Sequence, residues 1–407
     1  MGFINGRAPL TRPDATFSIP TEIRFGVGKT QNLPLDFQLA PDLCERTRLI
    51  IFTDKGVAAA GLSDRLRASF EGSDYEVVAV FDDVPAESDA EVVKESAELM
   101  KAQDANLVLA LGGGSVMDTA KVAATIAAYG GEAVDYEGGF MIPGPIVPVV
   151  AIPTTVGTGS EVTLAAIVKD NANHRKISIT SPFLFPRMAV LDPAMVATLP
   201  GRLVAWTGMD ALTHAIEAYS CTEREPISEA LAFRAIEMIA DNLEAAVAED
   251  GPTEARAKMQ YAATLAGMAF TNSPVGAVHS IAHSVGALFG VHHGLANAIA
   301  LPFVMEFNRD AVPTYYAAIA RALGVQIGLG AAAGGVSEAE LADAAIAAVR
   351  DLKRRIGVPE RYREVGVPQD DETAARIADL AVEDLTFTFN PVRGTREEVI
   401  ALVKRTL

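Results

Sequence analysis

Hydrophobic positions in the first half of the chain fall into short runs, separated by stretches that repeat at helical spacing. RLIIFTD (48–54), YEVVAVF (75–81), ANLVLALGGG (105–114) and PVVAIPTT (148–155) are aliphatic and β-branched, and each is bounded by turn residues. GLSDRLRASF, DAEVVKESAELMKAQ and VMDTAKVAATIAAY place apolar residues three and four apart, as a helix with one buried face does. Strand and helix alternate, which predicts an α/β domain with a mostly parallel sheet and helices on both faces. KISIT (176–180) and RMAVLD (187–192) read as further strands.

Beyond LDPAMVATLPGR the pattern changes. GMDALTHAIEAY, SEALAFRAIEMIADNLEAAVA, EARAKMQYAATLAGMAFTN and EAELADAAIAAVRDLKRRIG are helical in period almost throughout. A boundary is therefore expected near Pro200 and Gly201. Residues 1–200 form the α/β domain and 201–407 an all-α domain. The Ala/Gly run GLGAAAGGV near 328–336 is expected to be a loop.

Composition narrows the function classes. The 407 residues suffice for two domains, and half of them are hydrophobic. A net charge of −18 argues against nucleic acid or an anionic membrane as partner, because phosphate attracts the opposite sign. No apolar run is long enough to span a bilayer, and the first 20 residues lack the apolar segment of a secretion signal. Cys44 and Cys221 stand in no pairing or metal pattern and fit reduced thiols of a cytoplasmic protein.

Two features carry chemistry. Gly112, Gly113 and Gly114 follow a strand and precede a helix. There the backbone can approach a pyrophosphate, and the helix N-terminus offers free N–H groups. Ser115 can cap that helix or bond a phosphate. This is not the GxGxxG pattern. The acid at a strand end, Asp54, precedes the glycine turn instead of following it. Asp54 can accept hydrogen bonds from ribose hydroxyls and would repel a 2′-phosphate; equally, it can cap the next helix. A second polar loop, IPTTVGTGSEVT (152–163), can line the same crevice or be an ordinary turn.

The second feature is a set of metal-binding residue types. Asp210 and His214 lie four apart, on one face of a helix. His279 and His293 frame HSIAHSVGALFGVHHG, where four of the six histidines fall. One carboxylate and three imidazoles suit a divalent transition metal.

Together, GGGSVMD, IPTTVGTGSEVT, GMDALTHAIEAY and VHSIAHSVGALFGVHHGLANAIALP resemble the iron-containing (group III) alcohol dehydrogenase family. The similarity runs from TEIRFGVG to NPVRGTREEV. It implies NAD(H) bound by the N-terminal domain, and Fe²⁺, or Zn²⁺ as in some relatives, held by Asp210, His214, His279 and His293. It places the active site in a cleft between the domains, and His283 near the metal as a proton relay. It assigns the dinucleotide to Asp54, Gly112, Gly113, Gly114, Ser115, Asp118, Thr154, Thr155, Thr158 and Lys176. Phe270, Thr386 and Phe389 match segments bordering the substrate, although Phe270 also suits a core position. His292 and His174 are expected to be exposed. Ala86 stands where relatives often carry asparagine, and Ala165 where they sometimes do. The activity implied is hydride transfer between NAD(H) and a small alcohol or aldehyde, by a homodimer or larger homo-oligomer. Polyol or hydroxyacid dehydrogenases, a sugar-phosphate cyclase, or a silent nucleotide- and metal-binding protein are the competing readings.

Overall fold

The computed structural model describes residues 15–173, 175–248, 253–325 and 336–407. The expected loop near 328–336 lies, but for Val336, outside the described residues, as does His174. The chain forms two compact units. One is Ile19–Leu199; the other is Pro200–Leu407, joined by residues 15–18.

Among the described residues, the first unit has nine strands: β1 (Glu22–Phe25), β2 (Arg48–Phe52), β3 (Glu76–Phe81), β4 (Leu107–Gly112), β5 (Gly138–Gly139), β6 (Val149–Pro153), β7 (Ala165–Asp170), β8 (Arg175–Thr180) and β9 (Met188–Leu191). Its helices are α1 (Leu33–Gln38), α2 (Lys55–Ala59), α3 (Leu62–Ala68), α4 (Ala90–Ala102) and α5 (Gly114–Tyr129). Six strands form one parallel sheet in the order β1-β9-β6-β4-β2-β3. β4 and β6 are buried at every position, which explains their unbroken apolar runs. The chain leaves β2 for one neighbour, β3, then crosses back to the other, β4. That reversal is a switch point, and ligands of open α/β sheets bind beside the strands' carboxyl ends there.

KISIT does not extend this sheet. β8 pairs antiparallel with β7, and β5 completes a separate three-stranded sheet. The cause is a tight reversal at Asp170, whose carboxylate accepts the Asn173 backbone N–H and side-chain amide. A reversal so short permits only antiparallel pairing.

The second unit is helical: α6 (Gly201–Ser220), α7 (Pro226–Val247), α8 (Thr253–Asn272), α9 (Ala277–Phe289), α10 (His293–Asn308), α11 (Pro313–Ala322), α12 (Glu338–Arg355), α13 (Asp371–Glu383) and α14 (Arg396–Thr406). Most of α6 and α10 is buried, so these two helices form the interior. They approach closely at Gly294. A Cβ there would lie 2.7 Å from the Trp206 carbonyl oxygen, so only glycine lets the start of α10 rest on α6. No helix among the described residues is long and apolar enough to cross a membrane.

One side chain in this unit opposes folding. Lys353 on α12 is 0% exposed, and its Nζ has no hydrogen-bond partner among the described residues. Burial pulls its ammonium down to about 8. The folded chain thus holds this proton less readily than the unfolded chain. The penalty is full below that value and fades as pH rises toward the ordinary lysine range, so this group makes stability rise with pH. Lys353→Met is expected to raise unfolding free energy at pH 7 by roughly 3 kcal/mol, with the advantage shrinking near pH 10. Denaturant titrations of both proteins at the two pH values check this. Equal stabilities at pH 7 would refute it.

Candidate metal centre and nucleotide loops

In the first unit, three neighbouring parallel strands end side by side. Phe52 of β2 pairs with Ala110 of β4, and Gly112 of β4 with Pro153 of β6. Asp54, the glycine turn and the threonine loop therefore follow adjacent strand ends. Asp54 does cap α2: one carboxylate oxygen accepts the Val57 N–H at 2.9 Å. Its side chain remains part-exposed.

The glycines at 112–114 answer to packing as well as to any ligand. A Cβ on Gly112 would strike the Val116 side chain at 2.5 Å. On Gly113 or Gly114 it would crowd Thr155 or Thr158, each at 3.0 Å. The glycine turn and threonine loop are thus pressed together, with the Thr154 N–H on the Gly112 carbonyl. Gly113 is the N-cap residue of α5, and no side chain caps that end. Ser115 donates instead to the Ala86 carbonyl at 2.6 Å. Among the described residues, the N–H groups of the first turn therefore have no side-chain acceptor, as an anion-binding helix start requires.

Sequence reasoning missed what holds the threonine loop. Lys121 is 0% exposed, and its Nζ donates to the Ser160 and Thr163 carbonyls and hydroxyls and to the Ala165 carbonyl, at 2.8–3.2 Å. Burial draws its ammonium down to about 8, against the opposing pull of Asp118 and Glu161. Asp118 accepts from the Ser160 hydroxyl and the Ile167 N–H, so it ties α5 to the loop and to β7. Burial raises its carboxyl, offset in part by Lys121. A lysine on an otherwise apolar helix face was the available signal. Lys176 pairs with Glu87 at 3.3 Å.

In the second unit, Asp210, His214, His279 and His293 converge. One donor atom from each lies within 4.8 Å of the others; three of the residues are buried and His293 is part-buried. α6 supplies Asp210 and His214 one turn apart, α9 supplies His279, and the first residue of α10 is His293.

Surrounding groups set the donors' orientation. The Glu217 carboxylate meets His279 Nδ1 at 2.6 Å and accepts the Val278 N–H at 2.8 Å. A carboxylate only accepts, so His279 carries its proton on Nδ1 and turns the Nε2 lone pair to the cluster. Burial opposes a charged His279, but Glu217 outweighs it and the imidazole is raised above its ordinary value. The His214 ring stacks on Phe270 at 4.3 Å and on His279 at 4.7 Å. Phe270 is thus a wall against the donor set. These donors, one oxygen and three nitrogens in a mostly dry setting, fit a divalent transition metal.

His283 lies one turn beyond His279 and stacks on His293, with centroids 5.4 Å apart. Its Nδ1 meets Asp384 at 2.7 Å. Asp384 also accepts the Thr386 N–H and hydroxyl, and that hydroxyl meets Ser280. Burial works to raise the Asp384 carboxyl, but His283 and Thr386 outweigh it and hold it well below the usual range. Thr386 thus sits at this chain of polar contacts. Phe389 lines a small cavity of about 10 Å³ with Glu217, Ser220, Tyr316 and Asn390. His292 is exposed and lies beside the Trp206 ring.

Glu217, Asp384 and Asn297 were not picked out in the sequence. Two had a local signal. Glu217 falls three residues after His214, and Asn297 four after His293, each a polar residue on a donor's own helix face.

A parallel α/β unit with a helix N-terminus that its N-cap side chain leaves uncapped, and a helical unit in which one Asp and three His converge, are parts that a metal- and nucleotide-dependent enzyme would need. Comparison with known proteins names the family. Residues 20–193 match the model of iron-containing alcohol dehydrogenase, and residues 204–407 match that of the Fe-containing alcohol dehydrogenase family, C-terminal. An NAD-dependent methanol dehydrogenase of Bacillus methanolicus is 36% identical over 360 residues, 88% of this chain and 92% of that protein. A solved 1,3-propanediol oxidoreductase superposes with a TM-score of 0.91 at 33% identity, over 97% of this chain and all of that one. Sulfoacetaldehyde reductase from Bifidobacterium kashiwanohense, solved in complex with NAD⁺, gives 0.84 at 28% identity, over 96% and 98% of the two chains. The chain belongs to the iron-containing alcohol dehydrogenase family, and is an oxidoreductase.

Proposed function

We propose that this chain transfers a hydride between NAD(H) and a small alcohol or aldehyde, with Fe²⁺ or Zn²⁺ held by Asp210, His214, His279 and His293. The observation that carries the reading is the convergence of those four donors, with Glu217 fixing the tautomer of one. When bound, the ion supplies Lewis acidity toward the substrate oxygen, and the dinucleotide takes or gives the hydride.

The chain's own residues do the rest. His283, oriented by Asp384, moves the hydroxyl proton. Phe270 limits water beside the donors and favours a small, partly apolar substrate. The free N–H groups at the start of α5 bind pyrophosphate, and Lys121 and Asp118 keep the threonine loop pressed on that turn. The free oxygen of Asp54 receives ribose hydroxyls.

The activity test is anaerobic. The purified chain is stripped with a chelator and Fe²⁺ or Zn²⁺ is restored separately. NADH oxidation is then followed with short aldehydes, hydroxyaldehydes and semialdehydes. Metal-restored turnover supports the reading. No turnover with either ion, despite NADH and metal binding, would favour the cyclase or silent-binder reading. The ribose role has its own test. Asp54→Ala is expected to raise the ratio of NADPH-linked to NADH-linked kcat/KM by about tenfold or more, since it removes a repulsion and a ribose contact together. An unaltered ratio would leave Asp54 as a helix cap alone, worth about 1 kcal/mol.

A further inference from the structure

Asn297 lies at the middle of the donor set, although asparagine is a poor transition-metal ligand. It is one turn after His293 on α10 and 0% exposed. Its Nδ2 is 2.6 Å from Asp210 Oδ1, 3.1 Å from His293 Nε2 and 3.2 Å from His279 Nε2. These neighbours decide which end of the amide faces them. Asp210 is a carboxylate, and His279 offers a lone pair at Nε2 because Glu217 holds its Nδ1 proton. An amide oxygen in that place would face like charge, so the N–H side must point in.

The opposite end is poorly served. Asn297 Oδ1 is buried and has no hydrogen-bond partner among the described residues. Burying a carbonyl in that way is unfavourable. Its neighbours on the helix are Leu295, Ala296, Ala298 and Ile299. Were packing the only requirement, an aliphatic side chain would fill the position without that penalty. The amide is therefore there for what its N–H groups do.

We propose that Asn297 is a positioning residue of the metal centre, resting on the metal reading above. Its N–H to Asp210 Oδ1 fixes the rotation of that carboxylate relative to the imidazoles of His214 and His293, which stand 4.0 and 3.7 Å from the same oxygen. Asn297 sets how tightly the four donors hold an ion and touches no reacting atom.

The test measures metal, not turnover. The full-length wild type, Asn297→Ala and Asn297→Leu are titrated with Zn²⁺ in chelator-buffered solutions, and bound metal per chain is read by elemental mass spectrometry. The wild type is expected to reach one ion per chain. Both variants should need about 10- to 100-fold more free Zn²⁺ for half-loading, the usual effect of losing a partner that orients a ligand. The same Leu substitution in an Asp210→Asn background should cost less than about threefold, because the group it acts through has been altered. Half-loading of Asn297→Leu at the wild-type Zn²⁺ concentration would overturn the proposal. So would full additivity with Asp210→Asn, or failure of both single variants to fold by circular dichroism, since each assigns Asn297 to packing. A wild-type chain that binds no ion would count against the metal reading itself.

Discussion

Replacing His279 with alanine is expected to strip the chain of its ion and lower kcat by about a thousandfold or more, while NADH binding persists. His279 sits between Glu217 and the other donors, so its loss removes one of the four candidate ligands and leaves a buried carboxylate without its imidazole. Lewis-acid polarisation contributes several kcal/mol to such reactions, and each 1.4 kcal/mol is tenfold in rate. The loops proposed to hold the dinucleotide belong to Ile19–Leu199, a different compact unit from the donors, so nucleotide binding should survive. Metal per chain, kcat and NADH fluorescence titration form the three readouts. Wild-type turnover in the variant would remove the metal assignment. Loss of NADH binding along with the metal would show general unfolding.

Asp384→Asn is expected to lower kcat on the order of a hundredfold with metal content unchanged. Asparagine keeps the shape and can still accept from Thr386. It loses the charge that favours a proton on His283 Nδ1, and its NH₂ can face that nitrogen, which stabilises the opposite tautomer. A relay histidine in the wrong tautomer loses much of what acid–base catalysis contributes, about 10² to 10⁴ in rate. A variant that keeps its metal and its kcat would show that the Asp384–His283 pair only fastens the segment after α13 to α9.

Much of the fold and of the donor set could be read from the chain because the signals are local. Strand runs such as LVLALG are apolar throughout because both faces are covered, and a helix such as α4 repeats at three and four because one face is. The spacing of Asp210 and His214 places both on one helix face whatever packs beside it. The clustering of four of the six histidines between 279 and 293 singles out His279 and His293, and the motif resemblance assigns them to one ligand set with Asp210 and His214, a link that spacing alone cannot make. KISIT reads as a strand, and is one, but its composition does not say which sheet it joins; the Asp170 turn decided its antiparallel pairing with β7. The glycine turn was read as a ligand loop, yet the Cβ positions also show pressure from Val116, Thr155 and Thr158.

The sequence by itself determined the strands with apolar runs, such as β4 and β6, the helices with a clear three-and-four period, such as α4 and α12, where a glycine turn precedes a helix, and which residue types are fit to bind a metal. Those depend on periods of two to four residues, within reach of backbone geometry. Only the tertiary structure decided the partners that make those residues specific. His279 meets Glu217 across 62 residues, Asp210 meets Asn297 across 87, and His283 meets Asp384 across 101. At such separations no backbone period relates the two side chains. Their pairing follows from how the helices pack, and burial then makes each hydrogen bond costly to lose.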